Sequence, residues 1–221
     1  MSPDSSGDRT GLLTRTRRFL WKGGSSVLFE GEHWCRIEMN RHIEAHLQSL
    51  DKEFLEAVEV SGNGERGRGW KTFESLRYPE FDLCTSQPTD HQYDVVLCEQ
   101  VLEHVTDPIA AVKTLHALTK PGGEVVVGTP FMLRIHEQPG DYWRFTKDGL
   151  RLMLERGGFE RVETFSWGNR DCVSADLMRW MPYRLFKRLF SLHWRAYQPW
   201  QSLRNEEEFP VMVWAYARRP A

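Results

Sequence analysis

Residues 93–108, YDVVLCEQVLEHVTDP, and 118–130, LTKPGGEVVVGTP, decide the fold. Tyr93–Cys98 is an unbroken run rich in β-branched and apolar side chains, the pattern of a strand buried on both faces. Asp107–Leu118 has helical spacing, and Pro108 suits the first turn of a helix. KPGG then punctuates the chain, and Glu124–Thr129 is a second strand of the buried kind. A strand, a helix and a further strand in this order imply a parallel sheet covered by helices on both faces.

The same alternation continues outward. Upstream, Ala57–Val60 reads as a short strand followed by the glycine-rich SGNGERGRG of residues 61–69. Lys71–Leu76 and Phe81–Cys84 are weaker strand candidates. Residues 33–50 contain neither Gly nor Pro and read as a helix, and 12–22, LLTRTRRFLWK, as a short basic amphipathic one. Residues 1–10 are polar and are expected to form a disordered tail. Downstream, Thr146–Arg156 reads as a helix with Thr146 at its N-cap and Gly157–Gly158 at its end. Val162–Phe165 is a strand, 173–192 is largely helical, and Pro210–Tyr216 is the final strand. Ligands of such sheets bind beyond the carboxyl ends of the strands, where strand order reverses. The loops after residues 60, 76, 84, 98 and 129 are therefore the ones to read for chemistry.

Composition sets the outer limits. A chain of 221 residues with 40% hydrophobic side chains has room for one ordinary domain and a sizeable core. Its 29 basic and 31 acidic residues lack the basic excess of a nucleic-acid binder. No run is long enough to span a membrane, and the first residues lack the order of a signal peptide. Four cysteines without a CxxC pair read as reduced thiols of a cytoplasmic protein. Nine Trp and 12% aromatics suit a ligand cavity or an interface as well as a core.

The order VEVSGNG, FDLC, YDVVLCEQVLEHVTDP, LTKPGGEVVVGTP and a GGF before a strand resembles the class I S-adenosylmethionine-dependent methyltransferases. The likeness is to the branch with an LEHV signature after the fourth strand, and it covers roughly residues 55–165. It implies an α/β, Rossmann-like sheet of seven mostly parallel strands with the last antiparallel. Residues 11–221 would form one domain, with cap helices in 11–50 and an aromatic-rich helical insertion in 173–208. S-adenosyl-L-methionine is the implied cofactor. The implied reaction is methyl transfer to a hydroxyl of a small-molecule, sugar or lipid-linked acceptor. Glu59 matches the acid that orients the glycine loop and the cofactor's amino group, with Gly62 and Gly64 in that loop. Glu74 is the nearest candidate for the ribose hydroxyls. Asp82 matches the acid that accepts from the adenine amino group, and Leu83 would flank the ring. Glu99 and Gln100 follow the fourth strand, where the family contacts the methionine portion.

The chain departs from that family in its cofactor half. Its loop glycines are offset by one position, and ERGRG leaves no room for the helix that ordinarily follows. Arg66 or Arg68 would then meet the cofactor carboxylate in a modified pocket. The alternatives are a degenerate protein that acts as a partner or scaffold, or the same fold turned to other chemistry such as a cyclisation.

Acceptor-side candidates follow. PFMLRIHEQPGDYWRFT, residues 130–146, resembles the loop that faces the acceptor in methyltransferases of sugar or envelope-polysaccharide pathways. His136 is the general-base candidate, because an imidazole titrates near working pH. Glu137 and Asp141 would assist it. Tyr142, Trp143 and Arg144 offer stacking faces and a fixed cation, and the same residues also suit a loop packed on the sheet. Asn169 and Arg170, in SWGNRDC, are candidate acceptor contacts on what is equally a tight turn. Ubiquinone-pathway O-methyltransferases place an acid three residues before the Glu-His pair and bind a divalent ion. Here that position is Gln100, so no metal is expected, and Glu103 and His104 are read as orienting the helix that follows. His42 and His46 share one helical face, but without the HExxH order the reading is an ordinary helix face. Residues 179–200 hold five Arg or Lys, no acid and seven aromatics. They read as a lid before the last strand, with docking at an anionic membrane surface or a dimer contact as alternatives.

Overall fold

The computed structural model describes residues 34–62, 66–85, 91–136, 140–177 and 204–221. A 3-10 turn, Trp34–Arg36, leads into α1, Ile37–Gln48. Then come β1, Glu56–Val60; β2, Thr72–Leu76; β3, Tyr93–Glu99; α2, Pro108–Leu118; and β4, Thr119–Pro130. The chain continues with α3, Lys147–Arg156; β5, Glu160–Trp167; α4, Arg170–Leu177; and β6, Met212–Arg218. The helix candidate at 12–22 and the stretch 179–200 lie outside the described residues, as does most of the insertion read at 173–208.

The sheet order is β2-β1-β3-β4-β6-β5. β2, β1, β3 and β4 are mutually parallel, and β6 runs antiparallel between β4 and β5. From β1 the chain moves outward to β2 and then crosses back to β3. Strand order therefore reverses between the carboxyl ends of β1 and β3, where a ligand crevice forms in open α/β sheets.

Alternation along the strands builds two cores. Val58, Val60, Val96, Cys98, Val125 and Val127 face α2 and α3, packing on Leu115, Leu118, Leu150 and Leu154. Ala57, Val95, Leu97 and Val126 face α1, which buries Met39, Ile43 and Leu47 at helical spacing. Each of those three side chains contributes roughly 1.5–3 kcal/mol by leaving water. α1 thus packs on one face of the sheet; of the cap helices read at 11–50, residues 11–33 lie outside the described residues. Local signals set the helix starts: Asp107 accepts from the Ala110 N–H at 3.0 Å, and Thr146 from the Gly149 N–H at 3.0 Å.

Two expectations are corrected. Phe81–Cys84 is a turn, so the described sheet has six strands and β2 is its edge. Asp82 accepts from the Cys84 N–H at 2.8 Å and from the Thr85 hydroxyl at 3.1 Å, folding the backbone over itself. Phe81 and Leu83 still reach the core, which is why the alternation imitates a strand. KPGG, read as an interruption, lies within β4. Gly122 takes a φ of 77° there, and the register shifts between Tyr93 and Val95 accommodate it. The connection from β1 to β2 has no helix among its described residues, as the short ERGRG implies.

Candidate active site

The edge where β1 and β3 end is assembled under strain. Ser61 and Gln100, each the first residue beyond its strand, have φ of 58° and 59°, a left-handed conformation uncommon for non-glycine residues. Backbone bonds hold both: Ser61 N–H to Leu76 O at 2.7 Å, and Gln100 N–H to Gly128 O at 2.7 Å. Just beyond, Gly62 lies against Glu59. A Cβ on Gly62 would fall 1.8 Å from the Glu59 carboxyl carbon. Glu59 is buried, and its carboxylate sits directly beneath the loop backbone. Gly64 lies outside the described residues.

Arg66 gathers the acids of this edge. It donates to Glu99 through Nε at 2.5 Å and Nη2 at 2.9 Å, a bidentate pair. It also reaches Glu44 at 3.3 Å and Asn40 at 3.4 Å, both on α1. Glu99, with Glu44 and Glu59 behind it, offsets the burial that would lower the Arg66 pKa and leaves it raised. Arg66 therefore meets a protein carboxylate, where the sequence reading offered it, or Arg68, to a cofactor's. Arg68 is exposed.

The other cofactor candidates make contacts within the protein. Glu74 is at mid-strand in β2, paired with Val58, and accepts from the Tyr93 hydroxyl at 2.7 Å. Burial and Glu74 together push the Tyr93 hydroxyl well above its ordinary range. Asp82 shapes its own turn, and Leu83 is in the core. At the crevice itself, Gln100 Nε2 and Thr129 Oγ1 are buried without a hydrogen-bond partner. Orphaned polar atoms of this kind suit a polar ligand. At the β1–β3 end, Glu59, Gly62, Glu99 and Gln100 thus fit the amino-acid portion of the implied cofactor.

The loop after β4 brings a second group to the same sheet edge. The N–H groups of Tyr142 and Trp143 bond to Glu103 O at 2.7 and 3.3 Å, and Trp143 Nε1 bonds to Val105 O at 2.8 Å. These bonds fasten the loop to the residues after β3 and set His136 beside Glu103 and His104. Glu103 is fully buried, and neither carboxylate oxygen has a hydrogen bond. His136 Nε2 and His104 Nε2 each lie 3.7 Å from Glu103 Oε1. Asp141, bonded by Arg144, faces His136 Nδ1 at 3.4 Å and accepts from the His136 backbone N–H at 2.9 Å. Arg144 holds the Asp141 carboxyl down at about 2. Glu103, ahead of Asp141, raises the His136 pKa; at 3.7 Å the attraction is electrostatic and too long for a hydrogen bond. Both ring nitrogens of His136 thus face carboxylates. Ile135, Tyr142 and Trp143 are exposed around this mouth.

Asn169 and Arg170 have structural partners. Asn169 Oδ1 accepts from the Cys172 N–H at 2.8 Å, capping α4, and Arg170 pairs with Glu206 at 2.9 Å. His42 and His46 stack with Tyr216 against the sheet. They line a cavity of about 530 Å³ with Glu124, Phe165 and Arg218, near the start of β4 and away from the carboxyl edge. The sequence reading missed the burial of Glu103. Its signal was an acid between the apolar Val101, Leu102 and Val105. Among the described residues no helix is long and apolar enough to cross a membrane.

Comparison with known proteins joins these observations. A family model described as a methyltransferase domain matches residues 25–167, well over half of the chain. A ubiquinone biosynthesis O-methyltransferase of Citrobacter koseri is 56% identical over 99 residues, 44% of this chain and 36% of that protein. One of Bordetella bronchiseptica is 51% identical over 51 residues, 23% of this chain and 20% of its own. The matched region thus spans between a fifth and about a third of these relatives. Among solved structures, phosphoethanolamine N-methyltransferase 2 of Haemonchus contortus, in complex with S-adenosyl-L-methionine, superposes with a TM-score of 0.54 at 12% identity. That match covers 84% of this chain and 53% of the other. The carbon methyltransferase CurJ gives 0.50 at 12% identity, over 83% and 53%.

Proposed function

Since the chain belongs to the methyltransferase-domain family, we propose that it moves a methyl group from S-adenosylmethionine to a hydroxyl oxygen of a small acceptor with an apolar body. The buried Glu59 carboxylate under Gly62, at the point where strand order reverses, carries this reading. When bound, the cofactor supplies a methyl on a positively charged sulfur, and transfer forms an oxygen–carbon bond as the carbon–sulfur bond breaks. Glu59 and Glu99 offer carboxylates to an ammonium group, and Gly62 brings backbone close to it. Gln100 Nε2 and Thr129 Oγ1 are positioned to hold polar atoms of a ligand lying across the ends of β3 and β4. Methyl transfer from a sulfonium needs chiefly alignment of donor and acceptor.

The acceptor enters beside the loop after β4. Ile135, Tyr142 and Trp143 give it apolar walls, which suits a lipid-linked or ring-bearing molecule. The group of Glu103, His104 and His136 stands where the acceptor hydroxyl loses its proton, and His136 is its exposed member. The O-methyltransferase names of the partial relatives support oxygen as the target.

Calorimetric titration with S-adenosylmethionine and S-adenosylhomocysteine tests the first half. One-to-one binding is expected, with a rise in melting temperature at saturating ligand. A methyl-release assay over hydroxylated sugars, glycolipids and prenylated phenols tests the second. No binding at millimolar cofactor would refute the reading.

A further inference from the structure

We propose that the cavity of about 530 Å³ between α1 and strands β4, β5 and β6 is a second binding site, for a flat aromatic or heteroaromatic ring that carries an anionic group. Its volume falls within the roughly 300–1,000 Å³ of small-molecule pockets. It is well separated from the crevice at the carboxyl edge. Glu124, in its wall, precedes Thr129 by about 17 Å along β4, at about 3.3 Å per residue. The inference does not rest on the methyl-transfer reading.

One wall is a set of fixed rings. His46 stacks on Tyr216 with centroids 3.9 Å apart and planes 11° apart, and His42 lies 5.9 Å from Tyr216 at 13°. Phe165 packs 4.5 Å from His42 and 5.4 Å from Tyr216. Hydrogen bonds lock both imidazoles: Trp214 Nε1 donates to His42 Nδ1 at 3.1 Å, and His46 Nε2 lies 2.8 Å from Glu124 Oε1. His42 is exposed, and His46 and Phe165 are half-buried, so part of this wall is open to a ligand. Rings already held in place offer stacking faces at little cost in conformational entropy.

The mouth carries the charge. The register runs from Glu160 to Glu163 on β5 against Arg218 to Tyr216 on β6, so β5 holds one extra residue, a bulge at Arg161. Arg161 has a φ of 51°, a left-handed conformation that glycine adopts freely and arginine does not. A bulge needed only to turn the strand would be served better by glycine; arginine there brings a cation to the cavity. Among the described residues the Arg161 guanidinium makes no hydrogen bond or ion pair. Arg218, on the neighbouring strand, is engaged only loosely, at 3.5 Å from Gly122 O and 3.6 Å from Glu124. Two guanidiniums with donors to spare beside a wall of rings suit a ligand whose carboxylate or phosphate takes forked hydrogen bonds while its ring stacks. Glu163, exposed on the same strand and also lining the cavity, accepts from a ring N–H or hydroxyl and disfavours ligands of high negative charge.

The test is calorimetric titration of the full chain with uridine 5′-monophosphate and with indole-3-carboxylate, with and without saturating S-adenosylhomocysteine. The probes share a ring and an anion and differ in whether a phosphate or a carboxylate supplies the charge. At least one is expected to bind one-to-one below millimolar concentration in both conditions. Its counterpart without the anion, uridine or indole, should bind at least tenfold more weakly. Arg161→Gly should weaken the bound probe at least tenfold while Tm stays level or rises, because glycine suits the φ at that position. Arg161→Lys should recover part of the loss. Binding of neither probe, binding abolished by S-adenosylhomocysteine, or full affinity in Arg161→Gly overturns the proposal. A chain that binds a probe but no S-adenosylhomocysteine sinks the methyl-transfer reading alone, and the reverse result sinks this inference alone.

Discussion

Replacing Gly62 by Ala isolates the contact that shapes the glycine loop. The three heavy atoms nearest the added Cβ all belong to Glu59: the carboxyl carbon at 1.8 Å and its oxygens at 2.1 and 2.2 Å. Gly62 is not among the residues of positive φ, so backbone conformation adds no separate penalty. The buried Glu59 side chain must then leave its place. Overpacking of this kind costs typically about 1–3 kcal/mol. In a chain of 221 residues that lowers Tm by roughly 2–12 °C. If Glu59 also holds the cofactor's ammonium, losing a charged hydrogen bond of about 1.5–3 kcal/mol weakens S-adenosylhomocysteine by tenfold to about 150-fold. A double-mutant cycle separates clash from general damage. In a Glu59→Ala background the clashing atoms are gone, so Gly62→Ala should cost little, giving a coupling of about 1–3 kcal/mol in urea or thermal melts. Additive effects of the two changes would refute the contact. Full cofactor affinity in Gly62→Ala would refute the role given to Glu59.

Arg66→Ala leaves the Glu99 carboxylate without its bidentate partner and should destabilise by about 1–3 kcal/mol, read by urea titration. Arg66→Lys should recover only part, because an ammonium cannot make the forked pair. Asp107→Ala removes the cap of α2 and should cost about 0.5–2 kcal/mol without changing cofactor affinity; an affinity loss would tie that helix end to the site. Acid should destabilise the fold through His42 and His116. Both have pKa values lowered from 6.5, chiefly by burial, and His42 Nδ1 accepts from Trp214 Nε1 at 3.1 Å. Their folded pKa lies below the unfolded one, so the stability they hold is full above about 6.5 and is lost as pH falls through it. Melting temperature should decline through these two groups below about pH 6.5, His136 with its raised pKa acting in the opposite sense, and a His42→Gln, His116→Gln double variant should flatten that decline.

What the amino-acid order determined by itself was local. A run such as Tyr93–Cys98 has one stable use, as a central strand, because five of its six side chains, all but Asp94, are apolar and buried. Asp107–Pro108 and Thr146 mark helix starts through bonds made within a single turn. The short ERGRG meant that a helix between the first two strands was sterically out of reach. The tertiary structure decided everything that depends on distant partners. Phe81–Cys84 alternates like a strand, yet Asp82 bonds its own backbone and the segment turns. Arg66 was read toward a ligand, and Glu99 across the crevice claimed it. Glu103 and His104 were read as orienting a helix, and His136 as a base assisted by Glu137 and Asp141. Only the bonds from Tyr142 and Trp143 back to Glu103 set the three side chains facing one another. Periodicity records which face of its own element a residue occupies. It holds no record of which residue, many positions away, will face it across a loop, because that is settled by packing.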